Sequence, residues 1–224
     1  MPLGTRTVVA AGAVALALSV NHAVAQDGDK LSGNALVEAL QAGGYNLYFR
    51  HAATDWSADD HVQKTGDWTS CDPTKMRQLS PAGLETAHRI GGAIRALKIP
   101  VSKVLASPYC RTVETARPLA PVTVETTSDI MNLRVAEYFG GVSSIAERTR
   151  RRLSQSPKPE TNTLLVAHGN VIKEATGEYP GEGGCIVFHP DGRGGFSVVA
   201  RLQPADWEHL AAEFGARRFG LDGR

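Results

Sequence analysis

The 224-residue sequence has only three cysteines and neither a CxxC pair nor an HExxH stretch, so it offers no zinc ligand set at the usual spacing. It has no excess of either charge. Its 24 Lys and Arg face 23 Asp and Glu, a formal net charge of +1, which excludes a general nucleic-acid binder, whose surface must neutralise phosphates. The one basic run, RTRRR at 148–152, has no interleaved aromatic residues to stack on bases and reads as the solvated face of a helix. No repeat or low-complexity segment interrupts the chain, and the composition is not that of a disordered, collagenous or coiled-coil protein. The apolar stretch from Val8 to Val20 is diluted by Ala and Gly. It falls short of the roughly 20 residues that span a bilayer.

That stretch is nevertheless the first positive signal. A single charge at Arg6 precedes it, and the small-x-small site Ala23-Val24-Ala25 follows, before polar QDGDK. Residues 1–25 therefore read as a cleavable secretory signal, and residues 26–224 as the mature chain. The expected product is exported, periplasmic or secreted, with no stable membrane insertion after cleavage. Removing Arg6 leaves 23 Lys and Arg against 23 Asp and Glu, a net charge of zero. With 42% hydrophobic residues over this length, one globular domain with a single sizeable core is expected.

Periodicity predicts helices over 34–44, 80–99, 110–120 and 142–156, one beginning near Asn170, and a last one over 205–214. Short apolar strands fall between them at 45–49, 103–107 and 163–167, with two closing strands at CIVFH and FSVVARL. This alternation predicts an α/β three-layer sandwich, a mostly parallel central sheet with helices on both faces. Ligands of such sheets bind outside the carboxyl ends of the strands. The residues just past the three best strands are Arg50-His51, Ser107 to Arg111, and His168-Gly169-Asn170.

Singly, each of these residues is more often structural than functional. Together they place two arginine forks, which match phosphate oxygens, beside two imidazoles and the N-termini of helices. That combination describes a phosphate pocket. Six residues separate Cys110 from Arg117, where a cysteine-dependent phosphatase loop needs five. The Gly-rich GEYPGEGG at 177–184 lacks the Lys-Ser/Thr of a nucleotide-binding P-loop and reads as a turn. Histidine remains as the nucleophile.

Three motifs carry a resemblance. YFRHAATDWS at 48–57 is similar to the Arg-His-Gly signature of the histidine phosphatase superfamily, the phosphoglycerate mutase-like fold; SPYCRTVETA resembles its second arginine motif, and LLVAHGNVI its second histidine motif. The resemblance implies that His51 is phosphorylated and that Arg50, Arg111 and His168 hold the phosphoryl oxygens, with Thr54 and Ser57 as further polar contacts. It implies no metal and no cofactor. Ala52 stands where the family has Gly, and Ser57 where it has Asn. The family's proton-donating glutamate would fall at Val135 in NLRVAEYFGG, so Glu137 is the expected donor and Asp55 the reserve. The loop at 53–78 is expected to lie over the pocket. Because Cys71 lies in that loop and Cys110 adjoins Arg111, a Cys71–Cys110 disulfide is expected, with Cys185 free. The function implied is hydrolysis of a phosphomonoester, a small-molecule or envelope-sugar phosphate. The alternative is a catalytically weak protein that binds phosphate or a phosphosugar on the same fold.

Overall fold

The computed structural model describes residues 26–27 and 30–218. The expected signal at 1–25 lies outside the described residues. In chain order the elements are β1 (Gln26–Asp27), α1 (Gly33–Ala42), β2 (Asn46–Arg50), α2 (Pro81–Ala96), β3 (Val101–Ala106), α3 (Cys110–Ala116), β4 (Val124–Thr126), α4 (Val142–Ser154), β5 (Asn162–Ala167), α5 (Gly169–Thr176), β6 (Cys185–Pro190), β7 (Phe196–Leu202) and α6 (Pro204–Arg218). Three 3-10 segments, Asp67–Thr69, Ser128–Ile130 and Leu133–Phe139, lie in the connections.

Local chemistry sets the helix limits. Ser80 caps α2, its hydroxyl accepting from the Gly83 N–H, and Pro81 fills the first turn, where no donor is needed. Along α2 the buried Ala87, Ile90 and Ile94 recur at three and four residues, one apolar stripe. α3 stops at Ala116, short of the expected 120: Arg117 still has helical geometry, but Pro118 has no N–H to carry the ladder further.

The seven strands are ordered β1-β7-β6-β2-β5-β3-β4. Pairings β1–β7, β2–β5, β3–β5 and β3–β4 are parallel, while β6 runs antiparallel to both β2 and β7. Successive side chains of a strand point to opposite faces, and β2 uses both. Leu47 and Phe49 pack in the core with Leu36, Ile90, Ile94 and Trp207, from α1, α2 and α6. Tyr48 packs in the opposite core with Ile145, Val171 and Ile172, from α4 and α5. All three strand residues are fully buried, so the sheet is covered on both faces and the molecule is the expected three-layer α/β sandwich. The basic run on α4 is less free than its sequence suggests: Arg152 and Arg148 pair with Asp129, and Arg151 pairs with Glu147.

Candidate active site

The register of the sheet assembles the site. Arg50 at the end of β2 is the lateral partner of Ala167 at the end of β5, so the next residues on the two strands, His51 and His168, emerge side by side. The His51 N–H donates to the Ala167 carbonyl at 2.9 Å, which keeps the two chains together one residue past the ladder. On the far side of β5, the Ser107 N–H donates to Val166 at 3.0 Å and brings in the end of β3. The two imidazoles lie 5.6 Å apart between centroids, at 68°.

His51 is 3% exposed. Its Nδ1 lies 2.9 Å from the Ala52 carbonyl oxygen. A carbonyl only accepts, so Nδ1 carries the proton and the lone pair is on Nε2. Burial, then the charge of Arg111, lowers the His51 pKa to about 3, against the opposing pull of the Ala52 carbonyl. The ring is therefore neutral at neutral pH. Ala52, the residue after the expected nucleophile, is fully buried and packs in a small cluster with Leu79 and Ala87. Its N–H donates to Thr115 Oγ1 at 3.1 Å, which fixes the backbone behind the imidazole.

His168 is held from both ends. The Tyr48 hydroxyl donates to its carbonyl at 2.9 Å and accepts from its N–H at 3.2 Å, and Nε2 lies 3.0 Å from Ser107 Oγ. Burial first, and then the charges of Arg111 and His51, hold its pKa well below the ordinary histidine value. Its Nδ1 is buried without a partner.

A cavity of about 280 Å³ opens over these rings, lined by Arg50, His51, Trp56, Arg77, Asn132, Arg134, His168, Gly169, Asn170 and Tyr179. Gly169 leaves room for them: a Cβ on it would come within 2.7 Å of the Tyr179 ring and 3.3 Å of the Arg50 side chain, and the ring would have to shift. Arg50 runs beneath Tyr179, 5.4 Å from the ring centroid, and ion-pairs with Glu182 at 3.6 Å. Arg77 stacks on Trp56 at 3.8 Å, and its Nε is buried without a partner. A larger cavity of about 350 Å³ lies at the other end of the strands, lined by Asn46, Lys103 and Arg152 among others. It contains no imidazole, and Lys103 and Arg152 are already paired with Glu125 and Asp129.

Arg111 lies close enough for its charge to act on both imidazoles, but its fork is engaged within the protein. Its Nη1 and Nη2 each donate to one carboxylate oxygen of Asp60 at 2.9 Å, and Nη1 also donates to the Arg77 carbonyl. The fork expected to hold phosphate is closed on the 53–78 loop instead, and Arg111 is not among the residues lining the cavity. Only its buried Nε lacks a partner. For Asp60 burial pulls upward, but the hydrogen bonds and charge of Arg111 outweigh it and lower the carboxyl pKa. The Cys71–Cys110 disulfide, with Cα atoms 5.3 Å apart, ties this loop to the residue preceding Arg111, and Cys185 is free and buried.

The remaining expected site residues divide. Thr54 is buried, and its hydroxyl donates to Glu182 at 3.2 Å. Ser57 is exposed, and its hydroxyl donates to Asp55 at 2.6 Å. That bond first, and then the Ser57 N–H, hold the Asp55 pKa below the usual carboxylate range, an unsuitable state for a proton donor. Glu137 is exposed and does not line the cavity. The chain kinks at Val135, outside helical geometry, and Trp68 packs against the Tyr138 and Phe139 rings; the residue of this segment that reaches the cavity is Arg134. Arg77, Asn132, Arg134 and Tyr179 line the cavity without having been singled out from the sequence, and Glu182 adjoins it through Arg50 and Thr54. Neither Arg77 nor Arg134 has a carboxylate within ion-pair distance among the described residues, whereas Arg50 and Arg111 do. With both imidazoles neutral, two positive charges remain for a ligand, matching a phosphomonoester dianion.

The family model of the histidine phosphatase superfamily (branch 1) matches residues 47–160, half of the chain. The chain belongs to that superfamily. The match holds the Arg50-His51 and Arg111 motifs, and the sheet supplies the third, since His168 lies beyond it. No curated protein sequence matches the chain. Among solved structures, phosphoserine phosphatase from Entamoeba histolytica in complex with 3-phosphoglyceric acid superposes with a TM-score of 0.51 at 14% identity, covering 73% of this chain and 98% of that one. The α-ribazole phosphatase from Shigella flexneri does so with a TM-score of 0.50 at 11% identity, covering 71% and 96%. At such identities the likeness is one of fold, and it agrees with the superfamily assignment.

Proposed function

We propose that this superfamily member hydrolyses a phosphomonoester through a phosphohistidine on His51, without a metal, as an exported protein. The observation that carries the reading is the state of His51: a buried neutral imidazole whose Nδ1–H is held by the Ala52 carbonyl, so that Nε2 keeps a free lone pair, in a cavity that Arg50 and His168 also line. Phosphoryl transfer asks mainly for in-line positioning and for neutralisation of the equatorial oxygens. Arg50 and Arg77 supply fixed charge. His168 supplies an Nδ1–H when the Ser107 hydroxyl donates to its Nε2, and Arg134 adds charge at the rim. His51 Nε2 attacks phosphorus and the P–O ester bond breaks; water then attacks phosphorus, the P–N bond breaks, and inorganic phosphate leaves.

Export is supported by the Cys71–Cys110 disulfide, a bond that persists in oxidising compartments. Protein isolated from the cell envelope should begin at Gln26, and a chain beginning near Met1 would contradict export by this signal. The substrate class that fits is a small phosphate carried on a ring, because the exposed Trp56 and Tyr179 flank the cavity mouth. A second reading, phosphate or phosphosugar binding with little turnover, is favoured by the placement of Glu137 away from the cavity. One experiment separates the two. Enzyme exposed to a phosphoester and quenched in alkaline detergent should carry an acid-labile, base-stable phosphoryl group that His51→Ala lacks, in chelator as in its absence. Binding without any phosphoenzyme would favour the second reading.

A further inference from the structure

We infer that Asn132, in the connection between β4 and α4, donates through its side-chain amide to a phosphoryl oxygen of the substrate; the inference rests on the phosphatase reading above. Asn132 is 6% exposed and lines the cavity. Its oxygen is already engaged, because Oδ1 accepts from the Arg134 N–H at 3.0 Å and from Asn170 Nδ2 at 2.8 Å. A backbone N–H only donates, so turning the amide over would set donor against donor. Nδ2 is the end left for the cavity, and it has no hydrogen-bond partner among the described residues.

As the cap of the 3-10 segment that follows, this position needs only an acceptor, which an Asp, Ser or Thr side chain would supply equally. The amide adds two N–H donors that the cap does not use. Its surroundings fix it beside the second imidazole: Met131 is fully buried with Sδ 3.8 Å from Ser107 Oγ, the atom 3.0 Å from His168 Nε2, and Asn170 lies in the first turn of α5, two residues after His168. Asn132 is thus tied to both sides of His168.

Two other polar atoms without partners, Arg77 Nε and His168 Nδ1, are buried in residues that line the same cavity. Such atoms are rare in protein interiors. The charge balance favours a neutral donor beside them, since Arg77 and Arg134 already match a dianion and Arg111 keeps both Nη atoms on Asp60. An amide N–H adds a directed bond to a terminal oxygen without further positive charge, which would also tighten the hold on product phosphate.

The test titrates inorganic phosphate into the full mature chain by calorimetry, beside steady-state hydrolysis of 4-nitrophenyl phosphate. A hydrogen bond to a charged oxygen is worth about 10- to 100-fold in affinity, so Asn132→Ala should raise the phosphate Kd and lower kcat/KM by about that factor. The same factor should return in an Arg134→Ala and in an Asn170→Ala background, both of which leave the backbone N–H of residue 134 to hold the amide. If the factor vanishes in either background, Asn132 only positions that neighbour and the inference is overturned. It is overturned as well if the phosphate Kd is unchanged while KM rises for glycerol 2-phosphate, which would place the amide against the leaving group. Should Asn132→Ala fail to fold, Asn132→Asp is read instead, since it keeps the oxygen for Asn170 and the Arg134 N–H but sets an anionic oxygen in place of Nδ2. A phosphate Kd raised about 100-fold or more is then expected, and a native Kd overturns the inference. Unmodified protein that binds phosphate but releases none from this ester or from an alkyl phosphate overturns the phosphatase reading alone, and Asn132 is then judged by the phosphate affinities.

Discussion

Arg111 holds Asp60 in a two-pronged ion pair, 2.9 Å at each prong, with side chains 1% and 4% exposed. Breaking such a pair from one side leaves an uncompensated buried charge, which costs about 3 to 5 kcal/mol. Asp60→Ala should lower the unfolding free energy by that order, measured by urea denaturation. A loss under about 1 kcal/mol would show that Arg111 has found another partner, such as the phosphate expected of it from sequence.

The disulfide makes a second, separable contribution. Cys71 and Cys110 are 39 residues apart in sequence, and closing a loop of that length stabilises by up to about 4 kcal/mol on the chain-entropy model. Cys71→Ser should lower the denaturation midpoint and raise KM more than it lowers kcat, because the loop it releases carries Trp56 and Arg77. Unchanged KM would place the loop outside substrate binding.

Acid should destabilise the protein well above the carboxylate range. The folded pKa of His51 is lowered to about 3 and that of His168 well below its ordinary value, so between pH 6.5 and these values the unfolded chain binds protons that the folded chain does not. The stability present at pH 7 is therefore lost as pH falls. From pH 7 to 5 the His51 imidazole alone should remove about 2 kcal/mol, with His168 adding to it. His51→Asn should flatten the profile over this window, and an unmodified slope in that variant would refute the assignment.

Tyr48→Phe removes one hydroxyl and two bonds to the His168 backbone. It leaves a buried N–H and a buried carbonyl without that partner, for a loss of about 1 to 3 kcal/mol. Turnover should fall as His168 loosens. A variant with native stability and native kcat would mean that Ser107 and the helix that follows suffice to hold His168.

The framework and both imidazoles were legible because they follow from local pattern: a short apolar strand, a charged residue at its end, and a rule for where such sheets bind ligands. Arg50, His51 and His168 needed no more. The ion pair of Arg111 was not legible, since its partner Asp60 lies 51 residues away in a loop with no periodicity. Counting along the motif lands on Val135, and Glu137 is only the nearest carboxylate; past the kink at Val135 it is exposed. Glu182 lies 128 residues from Thr54 in a turn whose glycines explain themselves as geometry, so no sequence signal joined it to the site. β1 and β4, with two and three residues, are too short to show any period.

The brevity of those two strands bears on self-association. A sheet aggregates through its outermost strands, whose unpaired N–H and C=O groups can template another chain. Here the outermost strands are β1, two residues on β7, and β4, three residues carrying the exposed Glu125 in an ion pair with Lys103. Beyond β1, the Leu31 N–H takes the next carbonyl of β7, at Val199. Among the described residues the sheet thus ends in fragments too brief to recruit a neighbour, a safeguard against strand-to-strand polymerisation at high concentration.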